Sequence, residues 1–271
     1  MGLASAFTGA VLYAYYESRL EKTEQDLDAF TSGYTDEFDA ARAELQAEAE
    51  AGRERIDELL HELDQFAAGG ETLTAIADAA EPSVWALETL DETGAPSAGS
   101  AFVVFSDPEQ SFFLASFTAV RAATAAPGPP VRLRKGDQLV DATLVTWDEG
   151  RDLALLSLPV GGLPALGFVE DPGSVAIGDR VFVLSGVGSE GAAISQGVVA
   201  DVSGNALQLD AAIGMGFRGG PVLDVDGKVV AVASRNYFPA GFDPVFVPFV
   251  PPIALACESV ITCPGGTATP P

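Results

Sequence analysis

The chain has 271 residues, 48% of them hydrophobic and 20% charged, and 14 Lys and Arg against 39 Asp and Glu give a net charge of -25. That composition supplies a sizeable core and excludes global disorder, while so acidic a surface repels phosphate backbones and excludes nucleic-acid binding. One histidine (His61) and two cysteines (Cys257, Cys263) leave no His/Cys set for zinc; nothing calls for another metal or a cofactor, and any imidazole chemistry has to run through His61.

Residues 3–16 (LASAFTGAVLYAYY) carry no charge. The run is shorter than the roughly 20 residues that cross a bilayer. Small residues recur every fourth position at Gly2, Ala6, Ala10 and Ala14, a spacing that lets membrane helices approach closely. Tyr13, Tyr15 and Tyr16 stand at the polar end, where an interfacial aromatic belt falls. The reading is a membrane-anchor helix over 1–16; the apolar start of a soluble helix is the alternative.

No proline interrupts residues 17–65, and 16 acidic residues face 5 basic ones between Glu17 and Phe66. Leu45, Ala49, Gly52, Ile56, Leu59 and Leu63 repeat with helical period. This predicts an amphipathic, coiled-coil-like stalk over 17–68, either continuous or broken near Gly33. Its apolar stripe requires a partner: the following domain, a second copy or another protein. His61 lies on this stalk beside Leu60 and Leu63, as a rim residue. Gly69-Gly70 ends it, and residues 69–80 form a linker with a short helix.

From Glu81-Pro82 onward the texture is β-rich, with short runs separated by Gly, Pro and Asp. Strands are expected at 83–89, 100–105, 112–116, 131–133, 139–146, 154–158, 180–185, 194–202, 206–210, 222–225, 228–233 and 245–248. A dozen short strands without long helices between them indicate an all-β barrel or sandwich. Asp226-Gly227 marks a hairpin turn. Gly186-Val187-Gly188-Ser189-Glu190-Gly191 fits a dinucleotide-binding glycine pattern, but strand rather than helix follows, so the phosphate-cradling context is missing.

Asp210-Ala-Ala-Ile-Gly-Met-Gly-Phe-Arg218-Gly-Gly-Pro-Val222 resembles the nucleophile loop of trypsin-like serine proteases of the HtrA/Deg type. Other landmarks fall in order: Glu81-Pro82-Ser83-Val84, Gly99-Ser100-Ala101-Phe102-Val103, Leu114-Ala115-Ser116-Phe117-Thr118-Ala119-Val120, Arg151-Asp152-Leu153-Ala154-Leu155-Leu156 and Phe246-Val247-Pro248. The resemblance covers about residues 81–255. It implies a mainly β, double six-stranded β-barrel domain over 81–255, following the membrane helix and stalk, with its barrel boundary near 164–178.

The same resemblance places the triad at Thr118, Asp152 and Arg218. A Ser–His–Asp triad needs a hydroxyl nucleophile, an imidazole base and an orienting carboxylate; a guanidinium cannot attack a carbonyl, and threonine cannot accept a proton near neutral pH. The expectation is a pseudoprotease, no enzyme, with Arg218 reaching through the gap left by the imidazole to pair with Asp152. The alternative is an exposed Arg218 and a carboxylate held by backbone N–H groups. Phe217 and Arg218 are expected to plug the cleft.

Cys257 and Cys263 are expected to form a local disulfide, consistent with an oxidising compartment, within a C-terminal tail over 256–271 whose end (PGGTATPP) is expected to be mobile. Anchor, stalk, domain and disulfide together suggest a membrane-anchored protein with its β domain on the extracytoplasmic face. Its expected role is an accessory or scaffolding subunit that meets membrane protein subunits through helix and stalk, with self-association of the stalk left open. The alternative is an extracytoplasmic peptide-binding or sensor module, which an open apolar pocket near Ala212 and Ala233 would favour.

Overall fold

The computed structural model describes residues 15–23, 25, 55, 73–188, 192–203, 205–239, 248–263 and 267–269. Two units are distinguished, Met1–Ala68 and Gly69–Pro271. The described residues of the first unit (15–23, 25 and 55) are helical and exposed. Among the described residues no helix is long and apolar enough to cross a membrane. Apart from residues 15 and 16, the expected anchor lies outside them, as do most of the stalk, His61 and Gly69-Gly70.

In the second unit, β1 (Val84–Leu90), β2 (Pro96–Ser106), β3 (Ser111–Ala115), β4 (Val131–Lys135), β5 (Gln138–Asp148) and β6 (Leu153–Leu158) close into a barrel in the order β1-β2-β3-β6-β5-β4. A second, barrel-like sheet has the order β11-β10-β7-β8-β9-β12. It comprises β7 (Arg180–Ser185), β8 (Ala193–Ser203), β9 (Ala206–Leu209), β10 (Pro221–Leu223), β11 (Val229–Val232) and β12 (Phe249–Val250). All neighbouring strands pair antiparallel.

β1, β3, β6, β7, β10 and β11 are rich in Val, Leu, Phe and Ala because both of their faces are largely buried, whereas β4, β5 and β8 expose one face. Trp85, Val103, Phe113 and Leu156 fill the first barrel, and Val181, Val183, Val199 and Leu209 fill the second. Their neighbours Val84, Phe102, Leu114, Leu155, Phe182 and Leu184 point the other way and join in one further cluster, at the seam between the sheets. Two-residue alternation along a strand produces this division.

Strand boundaries differ from the sequence reading by a few residues, and two differences have clear causes. The hairpin at Asp226-Gly227 is longer than a two-residue turn. The Asp224 carboxylate accepts from the N–H groups of Asp226 (3.0 Å) and Lys228 (2.8 Å), so pairing stops at Leu223 and Val229. Gly227 takes the left-handed conformation there, φ 74°. The last strand was expected at 245–248; residues 240–247 lie outside the described set, and β12 pairs Phe249 and Val250 with Gln208 and Leu207.

Both ends of the unit pack more fully than the sequence suggests. The helix over 73–80, α1, buries Ile76 and Ala80 in the seam cluster rather than serving only as a connector. After α3 (Ile253–Ser259), Val260, Ile261 and Ala268 are buried in the same cluster, and Thr269 N–H donates to Thr262 O at 2.7 Å. The expected mobile tail is therefore tied back at 267–269. Gly186 lies so close to β1 that a Cβ would sit 2.1 Å from the Trp85 carbonyl carbon, which accounts for a glycine there without a ligand.

Cys257 and Cys263 are joined in a disulfide, and both pack against the seam cluster. Closing a loop this short in the unfolded chain contributes about 2 kcal/mol. Reduction, or the C257S/C263S double variant, is expected to lower stability by about that amount in urea unfolding followed by tryptophan fluorescence. An unchanged midpoint would show that packing of the tail alone holds it.

Candidate functional site

The Asp152 carboxylate sits at the seam, 2% exposed. It lies between β5 and β6 in the left-handed region, φ 53°, a conformation that Asp tolerates better than most residues. Ser116 at the end of β3 donates its hydroxyl to both carboxylate oxygens, at 2.9 and 2.8 Å. Thr118, on the single-turn helix α2 (Phe117–Val120), donates its N–H (2.7 Å) and its hydroxyl (2.8 Å) to Oδ1. Ser234, just past β11 in the other sheet, donates to Oδ2 at 2.5 Å. Three hydroxyls and one backbone N–H thus solvate a buried charge that would otherwise be costly.

The loop carrying Arg218 threads between the two sheets on glycines. Gly219 takes φ 85°, and a Cβ there would lie 2.4 Å from Ser100 O and 2.6 Å from Ser116 N. A Cβ on Gly220 would lie 2.0 Å from Leu184 O. Ser100 N–H donates to Arg218 O at 2.8 Å, which docks the loop on β2. Around the 3-10 turn at Met215–Phe217, three successive N–H groups are taken up by carbonyls of the domain. Phe217 donates to Gly214 O (3.1 Å), Arg218 to Met215 O (3.3 Å) and Gly219 to Ala233 O (2.7 Å).

The expected Arg218–Asp152 pair is not formed. Arg218 is 6% exposed, so it is not the solvent-facing alternative either. Its Nη2 donates to Ser97 Oγ and to Ala98 O, both at 3.0 Å, and its buried Nε has no partner. The reason is competition: Ser116, Thr118 and Ser234 already saturate the carboxylate, whereas the start of β2 offers an open carbonyl. Burial pushes the Arg218 guanidinium below its ordinary pKa, the charge of Asp152 pulls it back up, and Arg235 pushes it further down. Asp152 therefore acts on Arg218 through the field and not through contact.

The residues singled out from sequence meet as two neighbouring groups. Thr118 and Asp152 are in direct contact, while Arg218 borders a pocket of about 190 Å³ with Leu90, Ser97, Thr118, Arg121 and Met215. Phe217 packs against the second sheet's core, and Ala233 is fully buried. Sequence reasoning gave no role to Ser116, Ser234 or Ser97. The available signal was position: Ser116 and Ser234 each end an apolar run (FFLAS, VVAVAS), where a hydroxyl is buried and needs a partner.

The family described as "Trypsin-like peptidase domain" matches residues 92–232. The chain is 31% identical over 140 residues to the "Probable periplasmic serine endoprotease DegP-like" of Bartonella henselae, covering 48% of this chain and 27% of that protein. It is 30% identical over 120 residues to the "Serine protease Do-like HtrA" of Lactococcus lactis, covering 38% and 30%. The chain thus spans less than a third of the length of these relatives. The crystal structure of Deg5 superposes with a TM-score of 0.58 at 18% identity, over 70% of this chain and 92% of that one.

Asp152→Ala should destabilise the domain by about 3–5 kcal/mol, because it leaves three hydroxyls unpaired at the seam. Thr118→Ala removes one hydroxyl donor and should cost about 1 kcal/mol. Urea unfolding of the two variants checks the order, and equal losses would show that the carboxylate is not the centre of the network.

Proposed function

The chain belongs to the trypsin-like peptidase domain family, and on that premise we propose that it does not hydrolyse peptides. It serves instead as a membrane-anchored accessory or scaffolding subunit on the extracytoplasmic side of a membrane protein complex. The observation that carries the first half is the occupancy of the triad positions. Position 218 holds a guanidinium docked on β2, and position 118 holds a threonine whose hydroxyl is already committed to Asp152.

The backbone supports the same reading. A tetrahedral intermediate is stabilised in this chemistry by the N–H of the nucleophile residue and that of a neighbour two positions earlier. Here the N–H of residue 218 donates to Met215 O and is not presented to a substrate. Losing nucleophile and base together removes on the order of a million-fold in rate, and the missing donor removes roughly a hundred-fold more.

The scaffolding half rests on the uncharged segment 3–16, the acidic amphipathic stretch 17–68 and the disulfide Cys257–Cys263. The first two would provide an anchor and a partner-seeking stripe, and the third suits an oxidising compartment. A rigid double-barrel domain without chemistry is then suited to hold neighbours in place. A second reading, an extracytoplasmic module that holds a peptide in the cleft, has one observation in its favour: the pocket beside Arg218.

Two measurements test this. Incubated with a fluorophosphonate probe and with unfolded casein, the full chain should form no adduct and release no fragments; adduct formation would overturn the non-catalytic reading. The Arg218→Ser variant should also remain unlabelled, since the base position holds Thr118 in place of an imidazole. In gentle detergent the protein should migrate with other membrane subunits in fixed stoichiometry, identified by mass spectrometry. Migration by itself would count against the scaffold and leave the module reading.

A further inference from the structure

We propose that the pocket bordered by Ser97, Thr118, Arg121 and Arg218 binds a monoanionic carboxylate carried at the end of a short apolar group. Arg218 is a nearly fully buried cation that makes no ion pair among the described residues. Its two protein partners, Ser97 Oγ and Ala98 O, are neutral, and its Nε has none. A buried charge without a counter-ion is a costly arrangement, and an anion entering the pocket would offset that cost.

A second guanidinium borders the same space. Arg121 lies over the Phe117 ring at 5.4 Å, and its buried Nε also lacks a partner. Its one ion pair among the described residues is with Glu149, at 3.8 Å and largely exposed, a contact of little strength. In a chain of net charge -25, the two arginines that border this concavity match the two acids on its wall, Asp91 and Glu92, so the pocket does not share the acidic excess of the chain.

The hydroxyls on the wall are already engaged: Thr118 donates to Asp152, and Ser97 donates to Ala119 O at 3.3 Å. The guanidinium groups are therefore the donors left for a ligand. Leu90, Pro96, Ala119, Ala122 and Met215 supply an apolar wall. Asp91 and Glu92 stand at the same pocket and disfavour a dianion such as phosphate. Charge, planarity and wall together select a carboxylate on an apolar stem, and guanidinium matches its fork. The volume suits one terminal residue of a peptide or a short-chain acid, well below the size of a drug-like site.

The proposal goes beyond the scaffold reading and stands or falls separately, because binding is read without partners or catalysis. The test is a heteronuclear NMR titration of the full chain with four probes: N-acetyl-Ala-Leu, its C-terminal amide, pentanoate and inorganic phosphate. The free acid should give saturable shifts confined to Ser97, Thr118–Ala122 and Arg218, with the amide at least about tenfold weaker. Pentanoate binding as well as the peptide would assign the site to free acids, and weaker pentanoate binding to peptide ends. R218Q should abolish the shifts. R121Q, which leaves the loop between the sheets untouched, should weaken them severalfold and keeps the test valid if R218Q does not fold. Equal binding of acid and amide, preferential binding of phosphate, no saturable shift, or wild-type binding by R121Q would each overturn the proposal.

Discussion

A buried carboxylate constrains the whole double-barrel unit. Asp152 is buried where the two sheets meet, and its donors come from β3, from α2 and from the chain just past β11. No single sheet could satisfy it. The two sheets must therefore hold their relative placement to within hydrogen-bonding tolerance, because a shift of one would strand the charge. The left-handed backbone at Asp152 belongs to the same bargain: it aims the side chain back into the seam while its own carbonyl accepts from Phe117 N–H at 3.2 Å.

On the triad assignment proposed above, this arrangement gives the aspartate a place without an imidazole to orient. Thr118 presents an N–H and a hydroxyl to Oδ1 from a helix of a single turn. A small donor thereby takes over the solvating part of what a larger ring would do. The carboxylate retains a structural reason to be there whatever chemistry the site performs. The backbone of residues 216–220 is likewise independent of the side chain at 218. The left-handed Gly219 and the close approaches at Gly99, Gly219 and Gly220 fix its path, so an arginine can be carried on the loop without reshaping it.

The fold was legible because it depends on strong, local signals. Short β-rich runs bounded by turn residues marked eleven of the twelve strands to within a few positions, the exception being the last, expected at 245–248, whereas β12 is Phe249–Val250. What escaped depends on long-range partners. Nothing near Arg218 in sequence reveals that Ser116 and Ser234 have saturated Asp152 first, so the nearest opposite charge looked like the natural partner. The tail around Ala268 reads as polar and glycine-rich, yet it is held by a backbone bond to Thr262 and a small apolar contact. The 73–80 helix reads as a connector because its buried residues, Ile76 and Ala80, are only two.

The separation of the two buried charges is the feature with the widest consequence. Had Arg218 turned inward to Asp152, the opposite charges would have cancelled and the wall of the pocket would have lost its principal cation. By docking on Ser97 and Ala98, Arg218 stays at the concavity, and Asp152 remains behind Thr118 as a second, fixed charge. An anion seated in the pocket would feel attraction from Arg218 and Arg121 and repulsion from Asp152 beyond the threonine. Affinity there is bounded by that opposition, and selectivity is sharpened by it, because each added negative charge on a ligand gains on the guanidinium side and loses against the aspartate.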